Sequence, residues 1–339
     1  MPDASLSLLI LVIFLAVGFG VVNGFNDAAN AIAAAIGTRS LSPRNALIIA
    51  AVANFIGAAT GTAVAHTIGK GILIPEAITY TTLIAALASI IVWGTVATWM
   101  GLPVSIHHGF IAGLASAGMA VVGFDAVVWH IMQRVMAAVV IAPSLGFLGG
   151  FAVMVGLYWL FRNVAPDRIR RSFARLQALS TALMAYSHGK NDGQMPIGVI
   201  TMGLVIYYGD ATVWDRLSLF NPDLWWVIII SALAISSGMA LGGQKVIKTV
   251  GMRMTTLRPI HGFTTHLAAA SVIETASQLG IPVSTTHCVT ASVMGVGSTR
   301  RFSAVRWGIA GNIITAWVLT FPICGALGYA FTLLLQTIM

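Results

Sequence analysis

Gly101-Leu-Pro-Val-Ser-Ile-His-His108 returns later in the chain as Gly280-Ile-Pro-Val-Ser-Thr-Thr-His287, and each copy interrupts a long apolar tract. The offset is 179 residues. It persists downstream, where Pro143-Ser-Leu-Gly146-Phe-Leu-Gly149 reappears as Pro322-Ile-Cys-Gly325-Ala-Leu-Gly328. Upstream, Gly24-Phe-Asn26-Asp27-Ala-Ala-Asn30 is echoed by Gly189-Lys-Asn191-Asp192-Gly-Gln194 at an offset of 165. The 14-residue difference falls near the polar stretch Tyr207 to Asp223, which reads as a loop inserted in the second copy. The chain therefore divides into two repeats, 1–161 and 176–339, joined by a basic linker at 162–175.

Apolar residues make up 58% of the 339 and charged residues 8%, with a mean hydropathy of +0.90. Soluble domains carry about 25% charge, so the composition excludes that class. Runs such as Leu6 to Val22, Leu47 to Ala65, Ile78 to Met100, Val135 to Phe161, Trp225 to Gly243 and Val305 to Leu335 reach or exceed the roughly 17 to 25 residues of a membrane-crossing helix. Short alternating segments of the β-barrel kind are absent from the pattern. The expected fold is an all-α polytopic membrane protein. Leu6 to Val22 has neither a basic stretch before it nor a small-residue cleavage site after it, so it reads as a retained first helix. Cys288 and Cys324 sit in apolar segments and read as packing residues.

A net charge of +8 in a soluble protein would suggest nucleic acid, but here the basic residues report topology. With five crossings in each repeat, one set of loops holds Arg39 and Arg44, five arginines from Arg162 to Arg175, four basic residues from Lys245 to Arg258, and Arg300, Arg301 and Arg306. That is 14 of the 18, against Lys70 and Arg216 in the opposite set. The positive-inside rule makes the first set cytoplasmic and leaves both termini outside. An odd number of crossings per repeat turns the second repeat upside down. The expected architecture is two inverted-topology repeats with broken helices or hairpins meeting at the membrane midplane, as in many secondary transporters.

Asp27 and Asp192 each follow Gly-x-Asn inside an apolar segment. A carboxylate there costs several kcal/mol unless it has a partner, so it marks a cation or proton site. The preceding glycine would permit an unwound turn with free carbonyls, while Asn26, Asn30, Asn191 and Gln194 would add neutral oxygens of the kind hard cations prefer. Pro103 and Pro282 open helical segments whose first turns carry Ser105 in one copy and Ser284, Thr285 and Thr286 in the other. Helix N-termini offer unpaired N–H groups and partial positive charge, and hydroxyls add uncharged donors. Two such termini suit a tetrahedral oxyanion, though the same serines also suit plain N-capping.

His108 and His287 occupy matching positions, whereas His107, His188, His261 and His266 are less constrained. Glu274 has no acidic counterpart in the first repeat and is either a cation or proton ligand or a paired structural carboxylate. Lys190 could neutralise Asp192 or attract an anion, but is expected to snorkel toward the cytoplasmic interface. The spacings Gly57 to Gly61 and Gly238 to Gly242 suggest close helix packing.

Gly24-Phe-Asn-Asp-Ala-Ala-Asn30, His188-Gly-Lys-Asn-Asp-Gly-Gln194 and Pro282-Val-Ser-Thr-Thr-His287 resemble motifs of the inorganic phosphate transporter (PiT) family, across essentially the whole chain. The resemblance implies an inverted-repeat symporter, not an enzyme, that moves inorganic phosphate with sodium or protons by alternating access. It implies a coupling-ion and substrate site at Asn26, Asp27, Asn30, Asn191, Asp192 and Gln194, with sodium at Asp27 and Asp192. The phosphate site would lie at Ser105, Ser284, Thr285 and Thr286, with His108, His287 and Glu274 as further candidates. No cofactor is expected beyond the co-transported sodium or proton. The partners are the lipid bilayer and the transported ions, and a homo-oligomer is compatible with the pattern. The short linker suits a bacterial or archaeal plasma membrane. Three departures stand out: Ile106-His107 where the family commonly has Thr-Thr, Lys190 where a small residue is usual, and Met195-Pro196 after Gln194.

Each negative charge moved into a negative-inside cell works against about 2.3 kcal/mol per 100 mV, so monovalent phosphate needs at least one accompanying cation. Sulfate or another tetrahedral oxyanion is the neighbouring alternative. An intramembrane aspartyl protease would also use two membrane carboxylates, but it has no need of the paired hairpins.

Overall fold

The computed structural model describes residues 5–338. The first repeat runs α1 (Leu6–Gly37), α2 (Pro43–Ala59), α3 (Ala63–Gly71), α4 (Tyr80–Met100), α5 (Ile106–Val122) and α6 (Trp129–Leu160). The second opens with α7 (Pro166–Asp192), whose first turns take up residues 166–175 of the expected linker, and α8 (Gln194–Tyr208), and the two together correspond to α1. It continues with α9 (Trp225–Leu241), α10 (Gln244–Lys248), α11 (Pro259–Gln278), α12 (Thr285–Ser298) and α13 (Trp307–Ile338). An isolated bridge between Leu73 and Val127 is the β pairing among the described residues.

α1, α4, α6 and α13 are each long and apolar enough to cross a membrane alone. α2 with α3, and α9 with the helical stretch Gln244–Arg253 that α10 begins, are apolar enough to cross when each pair is taken together, bent by 63° and 60°. The breaks fall at Thr60–Thr62 and at Gly242–Gly243, so the apolar runs from Leu47 and Trp225 do not continue straight. Gly61 and Gly242 have φ of +138° and +67°. They serve the breaks; close packing is the work of Gly57 and Gly238. Phe14, Val52, Leu148 and Val318 project outward, as a lipid-facing surface requires.

The expected unwinding beside Asp27 is not found, because α1 stays helical through Gly24-Phe-Asn-Asp27. Gly24 instead brings two backbones together: a β-carbon there would collide with the Ile235 carbonyl of α9. Gly238 on α9 lies as tightly on Val21 of α1. Gly189 on α7 and Gly57 on α2 repeat the arrangement against Asn54 and Tyr186. In each repeat the charged helix thus packs on the bent helix of the other, and the hairpin helices cross over too, α5 onto α13 and α12 onto α6.

The polypeptide reverses at Gly101 and Gly280, both at positive φ, to form the hairpins α4–α5 and α11–α12. Each hairpin tip is held by a threonine of the other repeat: Thr67 Oγ1 donates to Gly280 O at 2.7 Å, and Thr249 Oγ1 to Gly101 O at 3.0 Å. These contacts are images of one another, the signature of the inverted repeat.

α1 spans about 48 Å at 1.5 Å per residue, so its termini mark two ends of the molecule. At one end Gly37 abuts Gly251, and nearby Arg306 donates to the Arg253 carbonyl at 3.1 Å. At the other, Leu9 and Val12 flank Gly203 of α8, beyond which the inserted loop pairs Arg216 with Asp210 at 3.1 Å and Asp215 with Lys70 at 3.8 Å. Asp210 is held below the usual carboxylate range by hydrogen bonds from Thr212.

Candidate functional site

Asp27 on α1 and Asp192 at the end of α7 stand on either side of one imidazole. His188 Nε2 lies 3.5 Å from Asp27 and 3.7 Å from Asp192. Its Nδ1 is 2.8 Å from Asn54 Oδ1, while the Asn54 amide nitrogen faces Ser236 Oγ at 3.4 Å. Nδ1 is therefore the donor to Asn54, and Nε2 points at the two carboxylates. Ligand atoms of Asp27, His188 and Asp192 all lie within 4.8 Å of one another, and all three side chains are buried. Two buried carboxylates so close need a cation or shared protons to balance them.

The hairpins close over this cluster from opposite repeats. Thr286 Oγ1 donates to Asp27 Oδ1 at 2.7 Å, and His107 Nδ1 approaches Asp192 Oδ1 at 3.6 Å. His107 and Thr286 are equivalent under the 179-residue offset, so the histidine occupies the position of the missing hydroxyl. The neighbouring asparagines tie each charged helix to its own hairpin. Asn26 Nδ2 donates to Thr98 Oγ1 at 2.6 Å, and Asn191 Nδ2 to Ser277 Oγ at 2.9 Å.

The symmetry fails at the next polar side chain of α1, three residues beyond Asp27. Asn30 donates to Thr286 Oγ1 at 3.1 Å and to Thr285 Oγ1 at 3.5 Å. Its counterpart is Met195 and that of Thr285 is Ile106, both fully buried in the larger apolar core. Polar lining is therefore concentrated at the second hairpin.

Ser105 and Ser284 are the N-caps of α5 and α12, accepting from the backbone N–H of His108 at 3.2 Å and of His287 at 3.1 Å. Gln194 caps a third helix: its Oε1 accepts from Val64 N at 2.7 Å and Ala65 N at 3.2 Å, at the start of α3. His108 and His287 meet each other edge-to-face, with ring centroids 5.0 Å apart, between the rings of Phe321 and Trp317. Glu274 pairs with Lys190 and accepts from Gln278 Nε2 at 3.0 Å. Lys190 is thus held by an acidic partner, with 16% of its side chain left open.

Asn54, Thr98 and Ser277 carry no signal of a site in the linear pattern, whereas His107 stands out there as a departure at a hydroxyl position and His188 only as one of the less constrained histidines. Two signals were there to be used: His188 stands one helical turn before Asp192, and His107 aligns with Thr286.

The model of the phosphate transporter family matches residues 23–328. The chain belongs to that family. It is 36% identical, over 96% of both chains, to a Bacillus subtilis (strain 168) protein named "Probable low-affinity inorganic phosphate transporter". A Rhizobium meliloti (strain 1021) protein of the same name is 39% identical over 94% of this chain and 95% of its own. A solved structure described as "The sodium-dependent phosphate transporter" superposes with a TM-score of 0.89 at 28% identity, over 98% of this chain and 100% of that one. The all-helical fold and the membrane class expected from the sequence agree with these relationships.

Proposed function

We propose that the chain imports inorganic phosphate across a bacterial or archaeal plasma membrane by symport with sodium or protons, with both termini outside. The observation that carries this reading is the pair of cross-repeat contacts, Thr286 to Asp27 and His107 to Asp192. Each joins a carboxylate helix of one repeat to the hairpin of the other. A cation neutralising the Asp27–His188–Asp192 cluster would leave the hydroxyls and helix N-termini of the hairpins free to hold an anion. Alternating access then follows from the two asparagine ties: releasing Asn191 from Ser277 would open one side, and releasing Asn26 from Thr98 the other. The family membership and the named phosphate transporters among its relatives support phosphate as the anion. The sodium-dependent structural neighbour supports sodium as the cation.

The test is uptake of labelled phosphate by the purified protein in proteoliposomes, under an imposed sodium or pH gradient. Accumulation driven by either gradient, and not displaced by excess sulfate, is expected. Failure of both gradients would overturn the symport reading, and displacement by sulfate would move the substrate to the wider oxyanion class.

A further inference from the structure

Between α7, the α2–α3 break and α11 lies a group of polar side chains that reach the surface. Thr60 Oγ1 is 3.0 Å from the Tyr186 hydroxyl, and Lys190 Nζ lies 6.0 Å from the Tyr186 ring centroid. Thr60 and Gln278 are exposed, while the Lys190 and Glu274 side chains keep 16% and 27% of their surface open. A charge pair opening onto hydrocarbon would be costly, so this gap faces water. One step deeper lies the Asn191–Ser277 tie, and then Asp192.

Lys190 joins three elements at this opening. Its ammonium group pairs with Glu274 of α11, and its carbonyl accepts from Gln194 Nε2 at 2.6 Å. Gln194 in turn caps α3. Glu274 Oε2 is buried with no hydrogen-bond partner among the described residues, so Lys190 and Gln278 are both held on Oε1. The arrangement exists on one side only, because the equivalents of Lys190 and Glu274 in the first repeat are Phe25 and Thr95.

We propose that Lys190 is the first contact for the incoming oxyanion, which takes it from Glu274 and thereby releases α11 from α7. Glu274 then excludes an anion until one competes for the lysine, and the second hairpin is freed as the substrate arrives. This inference rests on the phosphate-transport reading.

The test is initial phosphate uptake in proteoliposomes over a range of phosphate concentrations, for the wild type, Lys190→Gln and Glu274→Gln. Both variants break the ion pair, but only one removes the cation. Lys190→Gln should raise KM about fivefold, the loss expected for one partly exposed charge contact. Glu274→Gln should lower KM. Equal shifts in the same direction would reduce the pair to a strut between helices and overturn the proposal, as would no shift in either. Should Lys190→Gln fail to assemble, Glu274→Gln decides: a KM equal to or above wild type overturns it. A wild type without uptake would instead defeat the transport reading itself.

Discussion

Thr286 of one repeat donates a 2.7 Å hydrogen bond to Asp27 of the other, and at the symmetry-related position His107 faces Asp192 at 3.6 Å. Both contacts end on carboxylates that share His188, so the two hairpins sense a single charge cluster. Removing either negative charge removes a reason for a cation to bind. Asp27→Asn and Asp192→Asn should each abolish gradient-driven uptake while the protein still assembles as a monodisperse particle. Near-normal coupled uptake in both variants would remove the cluster from the coupling mechanism.

The four close-packing glycines make a separate prediction about stability. Gly24, Gly57, Gly189 and Gly238 each lie where a β-carbon would collide with a backbone carbonyl of the neighbouring helix. Overpacking against backbone cannot be relieved by a rotamer change and costs about 1 to 3 kcal/mol or more. Gly156, Gly308 and Gly311 have no heavy atom within 4 Å of such a carbon. Alanine at any of the first four should lower the melting temperature in detergent clearly, and at any of the last three hardly at all. Equal effects in the two groups would contradict the helix contacts.

Orientation in the membrane is measurable with single cysteines in a background lacking Cys288 and Cys324, both of which are buried. Ser172, Ser303 and Thr212 are exposed. Cysteines at positions 172 and 303 should react with an impermeant thiol reagent only from the cytoplasm, and one at 212 only from outside. Labelling of 172 and 212 from the same face would refute the inverted arrangement.

The repeat made most of this architecture legible. Offsets of 179 and 165 residues already paired Asp27 with Asp192 and one hairpin with the other, and apolar length marked the spans. What the linear pattern lacked was the crossing of elements between repeats. Asn54 becomes a partner of His188 because Gly57 and Gly189 bring α2 and α7 together, and no spacing along the chain encodes that. Gln194 illustrates the opposite case. It sits beside the carboxylates in sequence, yet the α2–α3 break leaves the α3 amides unpaired nearby, and Gln194 satisfies them. Gly24, ahead of Asp27, suits an unwound turn as readily as close helix packing, because flexibility and close approach leave the same residue in a sequence.

The two hairpins should contribute unequally to anion binding. The second brings Thr285 and Thr286 to Asn30 and Asp27, while the first has Ile106 in the apolar core and His107 beside Asp192. A hydrogen bond to a charged group is worth about 1.5 to 3 kcal/mol, or roughly tenfold to a hundredfold in affinity. Thr286→Ala also leaves Asp27 without its hydroxyl donor, so it should raise the KM for phosphate by that order and weaken cation dependence at the same time. Ile106→Val, which changes one methylene in an apolar environment, should shift KM less than about threefold. His107→Thr would place a hydroxyl opposite Asp192 as Thr286 stands opposite Asp27, and it should retain uptake where His107→Leu loses it. An unchanged KM in Thr285→Ala and Thr286→Ala together would mean that α12 is only a capped structural helix and that the anion binds elsewhere.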